Sequence, residues 1–294
     1  MFTYEEFKEN LLKETKKFLG EDEGLGIGSI WKNNDQKSEV ITIKKEGILV
    51  VPTIHLERLY KLYRRNKNLE ECVNIVLDIV QKAVSLNQEA KAPSWEEIRQ
   101  NVKPCLVNLA WNQKRIEKHH LVYREFMEFA ILFQVPMKNC GDEKSFYNIS
   151  YEMLEELGHT PEELYACAME NLKHQRIRVI NMEQIVGKNQ LEEDETGTIG
   201  GDLYILTNGD MKFGASAMLL EDFLMEFANE HDSDFIIFPS SVHETMLYFN
   251  QVGNTAEELR KMVREINEYS VSPEERLSNE IYCFKRETGK VELL

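Results

Sequence analysis

The sequence predicts an α+β protein with mostly antiparallel sheet, built from hairpins with amphipathic helices interspersed among them. Two observations carry this expectation. Runs rich in β-branched and aromatic residues come in pairs joined by short turn signals, as in Asp202-Leu203-Tyr204-Ile205-Leu206-Thr207 before Asn208-Gly209. Between them lie helix starts marked by Ser or Thr three residues ahead of Glu, at Thr3 and Glu6, Ser94 and Glu97, and Thr255 and Glu258.

The first element follows from the Thr3 and Glu6 capping box, with Phe7, Leu11 and Phe18 on one face of a helix over residues 4–19. Gly24, Gly26 and Gly28 are spaced like a phosphate cradle, but a dinucleotide fingerprint needs a strand before its glycines and a helix after them. Here a helix precedes and Trp31-Lys32-Asn33-Asn34 follows, so a loop without nucleotide is expected. Residues 40–43 and 48–51 read as a hairpin around Lys45-Glu46-Gly47, ended by Pro52. A helix then carries Leu56, Leu59, Tyr60 and Tyr63 as one stripe, and a longer one covers residues 69–86. His55, at the entrance to the first, has no second ligand at metal spacing and reads as a polar residue near the cap.

The polar stretch 88–96 separates an N-terminal α/β lobe, 1–92, from a C-terminal α+β lobe, 93–294, the two expected to pack closely. In the second lobe the Ser94 box starts a short helix that ends before Lys103-Pro104. A strand at Leu106, Val107 and Leu109 and a helix over 111–118 follow. Within 125–135 the run Phe129-Ala130-Ile131-Leu132-Phe133 has the continuous apolarity of a buried central strand, with a return strand at 145–149. Thr160-Pro161-Glu162-Glu163 is the clearest helix start in the chain. The acidic run 191–197 lacks the alternating ligands of a calcium loop and reads as a solvated loop.

Asn208-Gly209 predicts a hairpin whose second arm, 213–217, is rich in small residues; these let another backbone or a ligand approach closely, but packing under the following helix is the expected cause. A helix with Leu219, Leu220, Phe223, Leu224 and Phe227 on one face comes next. Then a strand over 234–238, a Pro239-Ser240-Ser241 turn and a return strand over 242–249 are expected. The Thr255 box opens a helix with Leu259, Met262, Val263 and Ile266, and a strand pair, 281–286 with 291–293, closes the chain.

Composition narrows the function classes. The 51 acidic against 35 basic residues give a net charge of -16, a field that repels nucleic-acid phosphates and anionic membranes. Neither is expected as a partner. The cation groups Lys61, Arg64, Arg65 and Lys67, and Lys173, Arg176 and Arg178, read as solvated ends of helices. The five cysteines are odd in number, widely spaced and without a C-x-x-C pair, which argues against a disulfide framework or zinc ribbon. With acidic residues near Met1 and no apolar run approaching roughly 18 residues, a cytoplasmic, reduced protein is expected.

The most chemical-looking residues, Ser240, Ser241, His243 and Glu244, cluster in a polar knot between two apolar runs. The helical zinc signature is absent, because Leu247 stands where a second histidine is required. The Gly-x-Ser-x-Gly elbow of hydrolases is absent too. In a strand, His243 and Glu244 would point to opposite faces, with His243 half-buried and donating to a backbone carbonyl. Ser241 and Glu244 also have capping-box spacing, so a short helix starting at the knot is the competing local structure.

The landmarks Lys32-Asn33-Asn34, Pro52-Thr53-Ile54, Asn108 with Asn112, Leu206-Thr207-Asn208 with Gly214-Ala215, Pro239-Ser240-Ser241-Val242-His243-Glu244 and Met262-Val263-Arg264-Glu265-Ile266-Asn267 run along nearly the whole chain. In these the sequence resembles an uncharacterised bacterial domain-of-unknown-function family, number 5688. The resemblance implies a cytoplasmic α+β protein and brings no activity, cofactor or catalytic residue; where relatives carry tyrosine, this chain has His55. The functional expectation is a module that binds a protein or small-molecule ligand through a cleft near residues 239–244, without metal or cofactor. The alternative is a hydrolase using Ser240 or Ser241 with His243. A structural partner in a larger assembly is a third reading.

Overall fold

In a computed structural model the described residues are 1–19, 24–43, 53–89, 92–137, 146–182, 203–250 and 253–294. The chain divides into two compact units, Met1–Ser94 with Met137–Ser145, and Trp95–Pro136 with Phe146–Leu294.

Among its described residues, the first unit packs three helices and a three-stranded sheet around a core of its own. Helix α1 (Tyr4–Leu19) starts on the expected capping box, in which the Thr3 N–H donates to the Glu6 carboxylate at 2.8 Å and the Glu6 N–H donates back to the Thr3 hydroxyl at 3.3 Å. Phe7 and Leu11 are fully buried, but Phe18, assigned to the same face, is 70% exposed near the helix end. Strands β1 (Leu25–Trp31), β2 (Lys37–Ile43) and β3 (Ile54–His55) lie in that order, antiparallel. The glycine run expected to be a loop is therefore an edge of sheet: Gly26 faces Thr42 and Gly28 faces Val40. The expected partner of residues 40–43, at 48–51, lies outside the described residues. Helices α2 (Leu56–Asn66) and α3 (Leu69–Glu89) bury Leu59, Tyr63, Cys72, Val73, Val76 and Val80 as their three-four spacing requires.

The second unit begins with α4 (Trp95–Asn101) and a four-stranded antiparallel sheet. Its centre is β6 (Phe129–Pro136), buried from Phe129 to Val135, two residues beyond the predicted run 129–133. Strand β4 (Lys103–Asn108) pairs with one edge of β6; β5 (Tyr123–Phe126) and β7 (Phe146–Asn148) pair with it elsewhere. Residues 125–135 are thus not one strand. The two-residue Met127-Glu128 turn folds β5 back on β6, with Met127 at φ 55°. Helix α5 (Gln113–Lys118) follows β4 through a 3-10 turn at Ala110–Asn112. Ser150 caps α6 (Tyr151–Glu156), and Thr160 caps α7 (Pro161–Lys173) with a complete capping box.

A six-stranded antiparallel sheet completes the unit, in the order β13-β12-β10-β11-β9-β8. Its members are β8 (Ile177–Asn181), β9 (Leu203–Asn208), β10 (Phe235–Phe238), β11 (Thr245–Tyr248), β12 (Tyr282–Lys285) and β13 (Lys290–Leu293). The hairpins β10–β11 and β12–β13 are those the sequence predicts. The Asn208-Gly209 hairpin is not formed. Asn208 accepts the Lys212 N–H through its side-chain oxygen at 3.3 Å and donates to the Lys212 carbonyl at 2.8 Å, Met211 and Phe213 adopt positive φ, and the chain leaves as a 3-10 segment, Gly214–Leu219. Strand β9 instead pairs with β8 and β11. Arg178, expected at a helix end, lies within β8. Helices α8 (Glu221–Glu230) and α9 (Ala256–Ser270), the latter with the predicted Thr255 capping box, complete the unit. The acidic run 191–197 lies outside the described residues.

Candidate functional site

The β10–β11 hairpin has a longer loop than the sequence suggests. Strand β11 begins at Thr245, so Val242, His243 and Glu244 belong to the connection rather than to an alternating strand, and no helix starts there. The loop is held on two sides. Toward the segment before β12, the Val242 N–H donates to the Glu275 carbonyl at 2.8 Å, the Leu277 N–H donates to the Ser240 carbonyl at 3.0 Å, and Ser241 bridges Arg276. Toward the 3-10 segment, the Thr207 hydroxyl donates to the His243 carbonyl at 2.8 Å and the Ala215 N–H to the Val242 carbonyl at 3.3 Å. Gly214 sits where these chains meet. A Cβ there would lie 2.2 Å from the Thr207 hydroxyl and 2.5 Å from the His243 carbonyl, so at Gly214 close backbone approach, rather than the expected packing under a helix, accounts for the small residue.

The imidazole of His243 has both nitrogens engaged. Its Nδ1 accepts the Phe213 N–H at 3.1 Å, which places the ring proton on Nε2, and Nε2 faces the Glu275 carboxylate at 3.5 Å. The ring thus accepts from backbone, where donation to a carbonyl was expected. Ser241 spends its oxygen on the His243 backbone N–H at 3.1 Å, and Ser240 and Ser241 are both buried. Neither serine hydroxyl bonds the ring, and the carboxylate beside it is Glu275, not Glu244. Glu275 lies 32 positions from His243 with nothing in its local sequence to mark it.

A roomier site lies elsewhere in the same unit. A cleft of about 890 Å³ opens between α5, β5 and the start of α6, with apolar walls from Leu109, Ile116, Leu121, Tyr123 and Tyr151. Glu117, Glu125 and Glu128 add three carboxylates, and His120 and Gln113 complete the polar lining. Local structure explains these placements. Tyr123 and Glu125 are two apart on β5 and share a face, whereas Glu128 occupies the turn between β5 and β6. His120, at φ 41°, directs its Nδ1 to the Glu152 carboxylate in the first turn of α6.

Glu128 is the most constrained of the three. Its Oε1 accepts hydrogen bonds from the Tyr282 hydroxyl at 2.6 Å and from the Ser278 hydroxyl, and its Oε2 accepts the Asn108 side-chain amide at 3.3 Å. Its carbonyl takes the Leu109 N–H at 3.0 Å. Asn108 in turn receives the Trp111 N–H at 3.2 Å and, on its carbonyl, the Asn112 side chain at 2.9 Å, which links that asparagine pair to Glu128. Burial and the Glu128 charge both push the Tyr282 phenol above its ordinary pKa, burial the more strongly, so it stays a donor. All the Glu128 side-chain partners are neutral. Among the described residues no lysine or arginine pairs with Glu117, Glu125 or Glu128.

Three further cavities are formed in the second unit. One of about 490 Å³ is walled by Met169, Ile177, Leu219 and Phe223. Another, of about 360 Å³, is lined by His231, Asp234, Phe249 and Cys283. There His231 is consumed by the Phe227 carbonyl at 3.0 Å and the Tyr204 hydroxyl at 3.2 Å. The third, beside Phe213, holds only about 10 Å³. None of these four cavities has a residue of the 239–244 knot in its wall. In the first unit His55 directs Nδ1 to the Ser38 hydroxyl at 3.1 Å ahead of α2. The described residues contain no group of three or more histidine, cysteine, aspartate or glutamate side chains placed to hold a metal, and no helix long and apolar enough to cross a membrane.

No curated protein and no solved structure matches the chain. Residues 4–286, nearly the full length, match the Family of unknown function (DUF5688), and the chain belongs to that family.

Proposed function

We propose that this protein is a binding module whose ligand site is the cleft between α5, β5 and α6. The observation that carries this reading is the cleft itself. Its volume of about 890 Å³ falls within the range of small-molecule sites, and its apolar walls with a few convergent polar groups have the usual chemistry of such sites. We favour this cleft over one near residues 239–244, because no residue of the knot lines any of the four cavities described above and the knot spends its polar groups internally. The hydrolase alternative draws no support from the imidazole, which is occupied by the Phe213 N–H on one nitrogen and faces Glu275 on the other. A reducing compartment is in keeping with Cys72, Cys105, Cys167 and Cys283, all free thiols.

A thermal-shift screen of small compounds tests this, with a variant that blocks the cleft as its control. Ala110 is exposed and lines the cleft, so Ala110→Trp fills it without touching the core. Compounds that raise the unfolding temperature of the wild-type protein are expected to lose that effect in the variant. Stabilisation that is the same in both proteins would place the ligand elsewhere and sink the cleft reading.

A further inference from the structure

We infer that the cleft recognises an organic cation: a small molecule carrying an ammonium or guanidinium group on an apolar body. This rests on the cleft being the binding site and adds the class of ligand. Three features lead to it. The first is the charge of the cavity wall. Glu117, Glu125 and Glu128 all line it, no arginine or lysine does, and none of the three has a cationic partner among the described residues. Other carboxylates of this unit do have a cation beside them, as Asp234 has Lys285 at 3.0 Å and Glu280 has Arg260 at 3.0 Å. The nearby cations of α5, Lys114 and Lys118, are absent from the cleft wall.

The second feature is the way Glu128 is held. Three neutral donors from Asn108, Ser278 and Tyr282 fix its carboxylate at the cleft without neutralising it. A partly desolvated, immobilised negative charge interacts more strongly with an incoming cation than a mobile surface glutamate does, because less water screens it and little reorganisation is required. The third is the walls. Tyr123 and Tyr151 offer aromatic rings beside the carboxylates, and aromatic faces attract cations as well as covering an apolar stem. His120, the histidine of the lining, is turned to Glu152. An anionic ligand would meet three carboxylates, and the net charge of -16 opposes its approach as well.

Three probes of one shape decide the matter: 4-phenylbutylammonium, 4-phenylbutanol and 4-phenylbutanoate, titrated against the full chain by calorimetry at low salt. The ammonium is expected to bind at least about tenfold more tightly than the alcohol, the scale of one charge-assisted hydrogen bond, and the carboxylate more weakly than either. Raising the salt concentration should reduce the ammonium's advantage. Glu117→Gln combined with Glu125→Gln, both exposed and without internal partners, should remove a measurable part of that advantage and leave the share that Glu128 supplies, with thermal unfolding unchanged. An alcohol that binds as tightly as the ammonium in the wild-type protein, and loses binding in Ala110→Trp, would keep the cleft as a binding site and overturn the cation assignment. Overturning also follows if the ammonium fails to bind, if its binding ignores both glutamate substitutions and salt, or if a lysine-containing peptide binds and the free amine does not.

Discussion

The knot at 239–244 and the cleft at Glu128 hold similar chemical groups, and they use them in opposite ways. In the knot a serine, a histidine and several backbone groups turn inward: Ser241 serves the His243 N–H, His243 serves the Phe213 N–H, and the His243 carbonyl takes the Thr207 hydroxyl. At the cleft the donors point to one carboxylate and steady it, while Glu117 and Glu125 make no side-chain bond among the described residues. A cluster of reactive residue types is therefore a poor guide to a site. What separates the two regions is whether hydrogen-bonding capacity is spent within the fold or left facing a cavity.

If the knot is a packed junction, its glycine is the place to break it. Gly214→Ala is expected to have the largest effect, a loss of about 3 kcal/mol or more in urea unfolding, because the new methyl would collide with the Thr207 hydroxyl, the His243 carbonyl and the Asn208 backbone nitrogen, two of them backbone atoms. A variant as stable as the parent would show the junction to be loose. His243→Ala should cost less, about 1 to 3 kcal/mol, since it leaves the Phe213 N–H without its acceptor. Its binding of the ammonium probe should be unchanged. Lost probe binding with unchanged unfolding would return the functional site to the knot.

On the cleft side, Tyr282→Phe should cost about 1 kcal/mol by removing one donor to Glu128. Its pH signature separates it from a plain packing defect. The folded state raises the Tyr282 pKa, so the stabilisation is complete below the unfolded tyrosine value near pH 10 and is lost as pH rises from there toward the folded value. Tyr4, raised by burial and by Glu39, contributes in the same direction. The phenylalanine variant should show a shallower alkaline loss of stability than the parent. Identical pH curves for the two proteins would mean that Glu128 does not hold this phenol.

The features legible in the amino-acid order alone are local. The capping boxes at Thr3, Thr160 and Thr255 form as written, because each needs only four consecutive residues. The burial of 129–133 and the β10–β11 and β12–β13 hairpins are legible for the same reason: an apolar pattern and a nearby turn suffice. Asn208-Gly209 failed because the Asn208 side chain closes a turn with Lys212, and β9 finds better partners in β8 and β11. The site lay still further from view. Glu128 meets Ser278 and Tyr282, 150 and 154 positions away, and its neighbours Met127 and Phe129 give no sign of that pairing. Only the docking of one sheet's hairpin turn against the strand of another creates the constrained carboxylate. A spacing rule cannot encode it, since the chain between them adds nothing to the contact except the fold that brings its ends together.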